Sequence, residues 1–241
     1  MLNNEQHLKL HQELVSQVDK QHPRVLFIPT ASYDSKDYNH IIEDVYEQKL
    51  GCEVDYLYLL AESPSFAEIR SKVLWADIIY VPGGNTLKMM RLWRKLKLDQ
   101  LLKQVWEQGT ILAGLSAGSI CWYESGHSDS MSFYDPKNWQ YIRVKGMGLL
   151  KGIHCPHYDS HTLQKPRKQY FHDMLMKTGG HGIAIDDDCA IMFKDDQFKV
   201  ISAKPSASAY KLYRYKQQII VSKLPTQQNF TPIQTLYQRQ A

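Results

Sequence analysis

The sequence has few cysteines, and none of them form a paired motif. The four cysteines stand at positions 52, 121, 155 and 189 with no CxxC spacing, which gives neither a redox motif nor a zinc-type ligand pattern. Most of them lie in apolar or strand-like segments, where a thiol packs as a small hydrophobic side chain. We therefore expect a protein of the reducing cytoplasm that does not depend on disulfide bonds.

Long hydrophobic runs are absent as well. The first residues, MLNNEQHLKLHQELV, contain no apolar core of signal-peptide length. No later stretch approaches the roughly 18 apolar residues of a membrane-spanning helix. We therefore expect a soluble, non-exported chain with no membrane partner.

No charge of one sign dominates, and no linker divides the chain. The 29 basic and 25 acidic residues give a net charge of +4, and the densest basic stretch, residues 91–97, alternates with apolar residues at helical spacing. That pattern is typical of a solvated helix face, so we expect no nucleic-acid partner. The chain shows no repeat or low-complexity tract. Its 241 residues, 43% of them hydrophobic, predict a single domain over residues 1–241.

The sequence does contain alternating strand-like and helix-like segments. The β-rich runs cover residues 24–30, 52–60, 76–84 and 110–116, and the helical patterns between them cover residues 38–51, 63–75 and 86–109. This alternation predicts an α/β fold with a mostly parallel sheet and helices on both of its faces. After about residue 180, the segments 182–203 and 208–224 have the pattern of antiparallel hairpins, which we expect to join the sheet or its edge.

One loop after a predicted strand carries an isolated serine. In GLSAGSICW, residues 114–122, Ser116 stands between Gly114 and Gly118 with the GxSxG spacing of a nucleophile elbow. Small neighbours allow a sharp turn that exposes the hydroxyl group, and the amide of Ala117 can donate to an oxyanion. The spacing alone is a weak signal, but its place between a strand and a helix favours a catalytic serine.

A second loop, PGGNT at residues 82–86, also follows a strand and precedes a helix. Its glycines can present backbone amides, and Asn85 or Thr86 can cap the helix. Taken alone, the loop is an ordinary glycine turn. Beside the serine elbow, it is the expected second donor of an oxyanion hole.

The third loop, HCPHYDSH at residues 154–161, supplies candidate bases for the serine. Of the ten histidines in the chain, His157 is best placed, at the end of a predicted strand, and His154 and His161 are its rivals. A catalytic serine needs a histidine within hydrogen-bond reach, usually one that a carboxylate holds in place. The three histidines also resemble a metal-ligand cluster, but we expect no metal site, because Pro156 opposes the helix that would align them.

Taken together, these motifs carry a resemblance to a known family. GGNT after a strand, GLSAGSICW with the following ESGHSDS, CPHYDS, and GIAIDDDCAI resemble, in order and spacing, the peptidase E and cyanophycinase family of serine peptidases. The fold of that family is similar to class I glutamine amidotransferases. The resemblance extends from about Arg24 to the C-terminal hairpins and implies a serine-type peptidase that needs no cofactor.

The resemblance also implies roles for individual residues. It makes Ser116 the nucleophile and His157 the general base, with an oxyanion hole formed by the backbone of Gly84 and Ala117. Two residues are candidates for the acid of the triad. Asp187 stands where the family has a glutamate and is favoured, and Asp129 in SGHSDS is the alternative.

The substrate implied by the resemblance is a small peptide, with an N-terminal Asp-Xaa unit as one expectation. The residues expected to bind it are Gly83, Asn85, Ser128, Asp129 and Ser130. The cations available for an acidic side chain are Arg143, Lys145, Lys165 and Arg167. Two alternatives stay open, a non-catalytic member that binds a small ligand and an amidohydrolase or esterase acting on a non-peptide acyl group. A homodimer also stays open.

The N-terminus departs from the family pattern. The family usually opens with a strand and a glycine-rich turn, whereas MLNNEQHLKLHQELVSQV begins directly in a helical pattern. Either that strand lies upstream of residue 1, or the sheet lacks an edge strand and the protein tolerates or covers the gap.

Overall fold

The computed structural model of the protein describes residues 5–238, with side chains from residue 7 onward. Its α-helices are α1 (Glu5–Val15), α2 (Asn39–Ile42), α3 (Phe66–Trp75), α4 (Thr86–Lys95), α5 (Leu98–Glu107), α6 (Ala117–Ile120), α7 (Arg167–Thr178) and α8 (Gln234–Tyr237). Short 3-10 turns cover Pro29–Ser32, Lys36–Tyr38 and Ser130–Phe133, and a π-helix covers Glu43–Lys49. None of the helices in this described part has the length and apolar character needed to cross a membrane.

The strands form three main sheets and one two-stranded ribbon. They are β1 (Arg24–Phe27), β2 (Glu53–Tyr56), β3 (Ile78–Val81), β4 (Ile111–Gly114), β5 (Tyr123–Ser128), β6 (Ile142–Lys145), β7 (Leu150–Cys155), β8 (His161–Thr162), β9 (Lys165–Pro166), β10 (His181–Ile185), β11 (Cys189–Lys194), β12 (Gln197–Ser202), β13 (Ala209–Tyr215), β14 (Gln218–Leu224) and β15 (Thr231–Pro232). The first sheet has the order β2-β1-β3-β4, the second β14-β13-β10-β7-β5-β6, and the third β11-β12-β15.

The first sheet is parallel throughout and is covered on both faces, as the sequence predicts. Successive residues of β1 alternate between two cores: Leu26 packs with the side of the sheet that carries α3, α4 and α5. Its neighbours Val25 and Phe27 pack instead with residues of α1 and the π-helix. Because both faces are buried, these strands consist of continuous apolar residues rather than an alternating pattern.

Two helices that cover the first sheet have N-cap side chains that bond their first turns. Ser65 and Glu68 form a reciprocal capping box at the start of α3, and the Asn85 side chain accepts a hydrogen bond from the Lys88 amide at the start of α4. The prediction of a single helix over residues 86–109 is wrong, because the segment forms two helices, α4 and α5. Lys97 has a left-handed backbone, with φ of 57°, and separates α4 from α5, so that each helix can turn its own apolar face toward the sheet.

The C-terminal hairpins form as predicted, but they lie in different sheets. The β13–β14 hairpin turns at Lys216 and joins the second sheet through antiparallel pairing of β13 with β10. The β11–β12 hairpin turns at Asp195 and pairs with β15 in the third sheet. Asp195 and Lys216 both have positive φ values, 52° and 53°, as a tight two-residue hairpin turn requires.

The outer edge of β4 pairs with no strand in the part of the chain that the structure describes. A broad cavity lies beside this edge, and α1 lines it from the other side. Residues 1–4, which belong to the N-terminal pattern discussed above, lie outside the described residues. The sheet therefore has a gap beside β4 that α1 partly covers.

The backbone of α6 packs very closely against the backbone of the first sheet. A Cβ atom built on Gly118 would lie 2.0 Å from the carbonyl oxygen of Val81 in β3, and one on Gly114 would lie 2.7 Å from the same atom. No residue with a side chain fits at these distances without moving backbone. The two glycines of the GxSxG pattern are therefore required by packing between β3, β4 and α6.

We predict that Gly118→Ala destabilises the protein by about 3 kcal/mol or more, because the added methyl group overpacks against rigid backbone. The matched control is Gly51→Ala. A Cβ at Gly51 meets nothing within 4 Å and suffers only from the positive φ of 68°, which costs about 1 kcal/mol. Urea unfolding of both variants measures the difference, and equal losses would contradict the packing argument.

Candidate active site

Ser116 lies at a strained corner between β4 and α6. It has φ of 51° and ψ of −112°, and it directly precedes the first residue of the helix. A non-glycine residue in this region of backbone space costs of order 1–3 kcal/mol and is held only by its surroundings. Strand, strained serine and helix together form the geometry of a nucleophile elbow.

The side chain of Ser116 is bordered by a glycine from the neighbouring loop. A Cβ atom on Gly83 would lie 3.2 Å from Cβ and 3.7 Å from Oγ of Ser116. Any larger residue at position 83 would therefore crowd the hydroxyl group. The loop after β3 leaves space in front of the serine.

Two backbone amides predicted to form an oxyanion hole make no hydrogen bond in the part of the chain that the structure describes. Neither Ala117 nor Gly84 donates its amide to an acceptor among residues 5–238. Gly84 has φ of 137°, and a Cβ there would lie 2.1 Å from the carbonyl oxygen of Ala31. The next amide, that of Asn85, is already bonded to this Ala31 oxygen at 2.8 Å. Ala117 and Gly84 thus keep free donors on the two loops nearest Ser116.

His157 and Asp187 are brought together from loops after β7 and β10. Nδ1 of His157 is hydrogen-bonded to Oδ1 of Asp187, and this bond is the main cause that lowers the pKa of the Asp187 carboxyl group. The carboxylate is therefore ionised at neutral pH and fixes the ring so that Nε2 is free. Asp129, the alternative acid, makes no hydrogen bond to His157 within the described chain.

Ser116, His157 and Asp187 line one cavity of about 1530 Å³. Within residues 5–238 no hydrogen bond links Ser116 to His157. Such bonds are often long in an unliganded enzyme and tighten when substrate binds. The cavity extends along β4 and β11 toward Trp106, so it is much larger than a site for one side chain.

Three consecutive aspartates after β10 each bind a different part of the protein. Asp186 accepts hydrogen bonds from the Ser208 amide and the Tyr210 hydroxyl group, both at 3.0 Å. Asp187 bonds His157, and its own amide donates to Oδ1 of Asp159 at 2.9 Å. Asp188 pairs with His7 of α1 and with Lys204. The neighbours on either side thereby fix the backbone that presents Asp187 to His157.

The polar residues predicted to bind substrate are mostly engaged within the protein. Asn85 is fully buried and caps α4. Ser128 and Ser130 are also 0% exposed, and their hydroxyl groups bond each other at 2.8 Å. Ser130 further accepts from the Leu87 amide at 3.0 Å. The bonds that these side chains make join β5 to α4, whereas the Asp129 side chain between the two serines has no such partner in the described residues.

The two rival histidines occupy different environments. His154 is buried within β7, and burial lowers its pKa to about 3. His161 is exposed in the short strand β8. The three histidines therefore occupy different environments, and of the three only His157 pairs with a carboxylate within residues 5–238.

Arg167, one of the four cations that the sequence offers for an acidic side chain, is buried in the structure. The side chain is 3% exposed, and Nη2 donates to the carbonyl oxygen of His127 at 2.7 Å. Its Nε has no hydrogen-bond partner, and no carboxylate lies within ion-pair distance of it in the described chain. No pattern in the sequence signals this burial, because it arises where β5, the loop after β7 and α7 meet.

Comparisons with known proteins show the family to which this chain belongs. The sequence model of peptidase family S51 matches residues 1–201. The uncharacterized peptidase YgaJ of Bacillus subtilis (strain 168) is 36% identical over 222 residues, which cover 90% of each chain. Peptidase E of Nostoc sp. is 24% identical over 189 residues, covering 75% of this chain and 73% of the relative.

A solved structure shows the same fold. The crystal structure of a peptidase from an acI-B1 Actinobacterium aligns with a TM-score of 0.71 at 20% sequence identity and covers 95% of this chain and 91% of its own. At this identity the likeness shows the fold alone. The sheet-and-helix arrangement predicted from the sequence is thereby confirmed.

We predict that Asp187→Asn lowers the reactivity of Ser116 by about 10³- to 10⁴-fold, because the amide no longer holds His157 in the tautomer that accepts a proton. Asp129→Asn should reduce it far less. The rate at which a fluorophosphonate probe labels Ser116, followed by intact-protein mass spectrometry, measures both. The reverse order of the two variants would make Asp129 the acid of the triad.

Proposed function

Because the chain belongs to peptidase family S51, we propose that Ser116, His157 and Asp187 hydrolyse peptide bonds by acyl transfer to water. The observation that carries the proposal is the His157–Asp187 hydrogen bond within the cavity that also contains the strained Ser116. A histidine that only packs in the core or lies on the surface does not need a carboxylate partner or a neighbouring nucleophile elbow. The three groups supply nucleophile, base and orienting acid.

The geometry supports the following sequence of steps. Nε2 of His157 takes the hydroxyl proton as Oγ of Ser116 bonds to the peptide carbonyl carbon, while Asp187 stabilises the resulting imidazolium. The amides of Ala117 and Gly84 donate to the oxygen that becomes negatively charged. The imidazolium then gives its proton to the leaving amine, and the C–N bond breaks. Water repeats the same steps on the acyl-enzyme and restores Ser116.

The substrate we propose is a small peptide with an acidic group at the position of cleavage, such as an N-terminal aspartate. A buried guanidinium with no carboxylate partner is costly, because desolvation of the charge is not compensated. Arg167 has no carboxylate partner in the described chain: Nη2 bonds the His127 carbonyl oxygen, the guanidinium lies 4.9 Å from the centroid of the Tyr141 ring, and Nε is unpaired. Its charge makes a small contribution to the lowered pKa of Asp187. An acidic side chain of the substrate would supply the missing partner.

Asp129 complements this proposal at the other end of such a substrate. Its carboxylate is half-buried and forms no ion pair or side-chain hydrogen bond in the described chain. A free α-ammonium group is the natural partner for it. A cation and an anion, each without an oppositely charged partner among residues 5–238, thus favour a short peptide with a free N-terminus over a long internal segment.

We predict that the protein cleaves members of a panel of short peptides that includes Asp-Xaa dipeptides, and that Ser116→Ala cleaves none. The fold should survive the substitution, since the hydroxyl group makes no side-chain bond within the described residues. Mass spectrometry of the incubated panel identifies the products and the preferred residue. Ser71→Ala, an exposed serine of α3, is the control and should match the wild type. Cleavage by Ser116→Ala at the wild-type rate would refute the assignment of the nucleophile.

We further predict that Arg167→Gln lowers kcat/KM for an N-terminal Asp peptide about 100-fold, as loss of a charged hydrogen-bonding partner worth roughly 3 kcal/mol implies. The matching N-terminal Asn peptide should lose much less. The ratio of the two kcat/KM values is the readout, because any loss of folded protein affects both peptides equally. An unchanged ratio would show that Arg167 does not bind the acidic group.

A further inference from the structure

A second serine–histidine pair lies one helical turn from the candidate nucleophile. Oγ of Ser119 in α6 lies 3.0 Å from Nε2 of His154 in β7. The same hydroxyl group lies 2.8 Å from the carbonyl oxygen of Ser116. The proposed catalytic steps use neither Ser119 nor His154, although both line the same cavity as Ser116.

The surroundings of His154 fix its state. The ring is 1% exposed and stacks on Tyr123, with 4.5 Å between ring centroids and 5° between planes. Nδ1 lies 2.9 Å from the carbonyl oxygen of Ile183 in β10, and burial lowers the pKa to about 3. The neutral ring therefore carries its proton on Nδ1, donates it to Ile183, and leaves Nε2 as an acceptor.

This state excludes His154 as a general base for Ser119. A general base must hold the transferred proton, and a fully buried imidazolium with only a peptide carbonyl beside it is unfavourable. His157, in contrast, has the Asp187 carboxylate to stabilise its charged form. The Ser119–His154 pair is therefore a neutral hydrogen-bonded link rather than a second catalytic dyad.

The link joins two parts of the molecule that no hydrogen-bond ladder joins. Ser116 follows β4 in the first sheet, whereas His157 follows β7 in the second sheet, and the described residues contain no pairing between these sheets. The Ser116 carbonyl also accepts from the amides of Ser119 and Ile120, each at 3.0 Å. The Ser119 hydroxyl thus contacts both the backbone of the nucleophile and the strand that leads into the base.

We propose that Ser119 and His154 are positioning residues that hold the strained backbone of Ser116 at a fixed distance from His157. The proposal rests on the function proposed above. The hydroxyl of Ser119 has one proton and lies between two acceptors, the Ser116 carbonyl oxygen and Nε2 of His154, so it shares that proton between them in a three-centre hydrogen bond that contacts both. Loss of the tether leaves the reacting groups intact but lets α6 shift relative to β7.

The test measures the nucleophile directly. We expect Ser119→Ala to reduce the rate of fluorophosphonate labelling at Ser116, and kcat for a cleaved peptide, by about 10- to 100-fold, as a displacement of a fraction of an ångström to 1 Å implies. KM should stay unchanged, and so should the pH profile, because His157 and Asp187 are untouched. Ser119→Thr, which restores the hydroxyl group, should recover most of the rate.

Three further variants complete the design. His154→Phe keeps a ring on Tyr123 but removes the acceptor for Ser119, and it also removes the hydrogen bond to the Ile183 carbonyl oxygen, so its loss should equal or exceed that of Ser119→Ala. The double variant Ser119→Ala/His154→Phe should lose no more than His154→Phe alone, because the Ser119–His154 link is already broken in that variant. Ser16→Ala is the matched control: the exposed Ser16 directly follows α1, and its hydroxyl makes the same type of bond, to the Glu13 carbonyl oxygen three residues earlier at 2.9 Å.

The outcomes separate this proposal from the proposed function. If the wild type is labelled at Ser116 and both Ser119→Ala and His154→Phe are labelled at the wild-type rate, the positioning role is overturned and the triad stands. If the wild type is labelled at Ser119, that residue is a nucleophile and the positioning role is again overturned. If neither serine of the wild type reacts and no peptide is cleaved, the proposed function fails, and this inference fails with it. Tryptic mapping of the labelled protein distinguishes the three results.

Discussion

The candidate nucleophile and its base are carried by different sheets, and the fold must set the distance between them without a strand ladder. The short helix α6 meets this constraint. At its start, Gly118 lies against the carbonyl of Val81 in the first sheet, where a Cβ would approach to 2.0 Å. At its end, Ile120 lies against Gly126 of the second sheet, where a Cβ would approach to 2.5 Å. Gly118 and Gly126 therefore allow the single turn of α6 to pack closely against both sheets.

The strained backbone of Ser116 follows from this close packing of α6. Because only two residues separate β4 from α6, the second of them, Ser116, adopts a backbone conformation that favours glycine. The hydrogen bonds that the Ser116 carbonyl oxygen accepts from Ser119 and Ile120 help to offset the free-energy cost of this backbone conformation. The same turn leaves the Ala117 amide without an internal acceptor. Packing, strain and free donors at this corner are thus consequences of one arrangement.

The charged groups near the candidate site differ in their burial and in their hydrogen-bond partners. The three aspartates after β10 differ in pKa because their partners differ: burial raises the pKa of Asp186, whereas hydrogen bonds from His157 and from His7 lower those of Asp187 and Asp188. Arg167 is the opposite case, a buried cation that bonds a backbone carbonyl oxygen but has no carboxylate within ion-pair distance in the described chain. This lack of a carboxylate is the physical basis on which an acidic substrate is proposed.

The sequence determined the parts of this protein that depend on local pattern. Continuous apolar runs and alternating helical segments predicted the covered parallel sheet, the polar turns at Asp195 and Lys216 predicted the hairpins, and the GxSxG spacing predicted the elbow. These signals are legible because each depends on residues close together in the chain. The division of residues 86–109 into α4 and α5 was missed, because the left-handed turn at Lys97 comes from packing on the sheet and not from a glycine or proline.

Only the tertiary structure decided how distant residues combine. It paired His157 with Asp187 rather than Asp129, buried Arg167 without a carboxylate, engaged Ser128 and Ser130 in bonds to α4, and placed His154 against Ser119. In each case the partners are separated by tens of residues and meet where loops from several strands converge. Sequence spacing carries no information on such distances, because they are set by the order and register of strands and by the depth at which each side chain is buried.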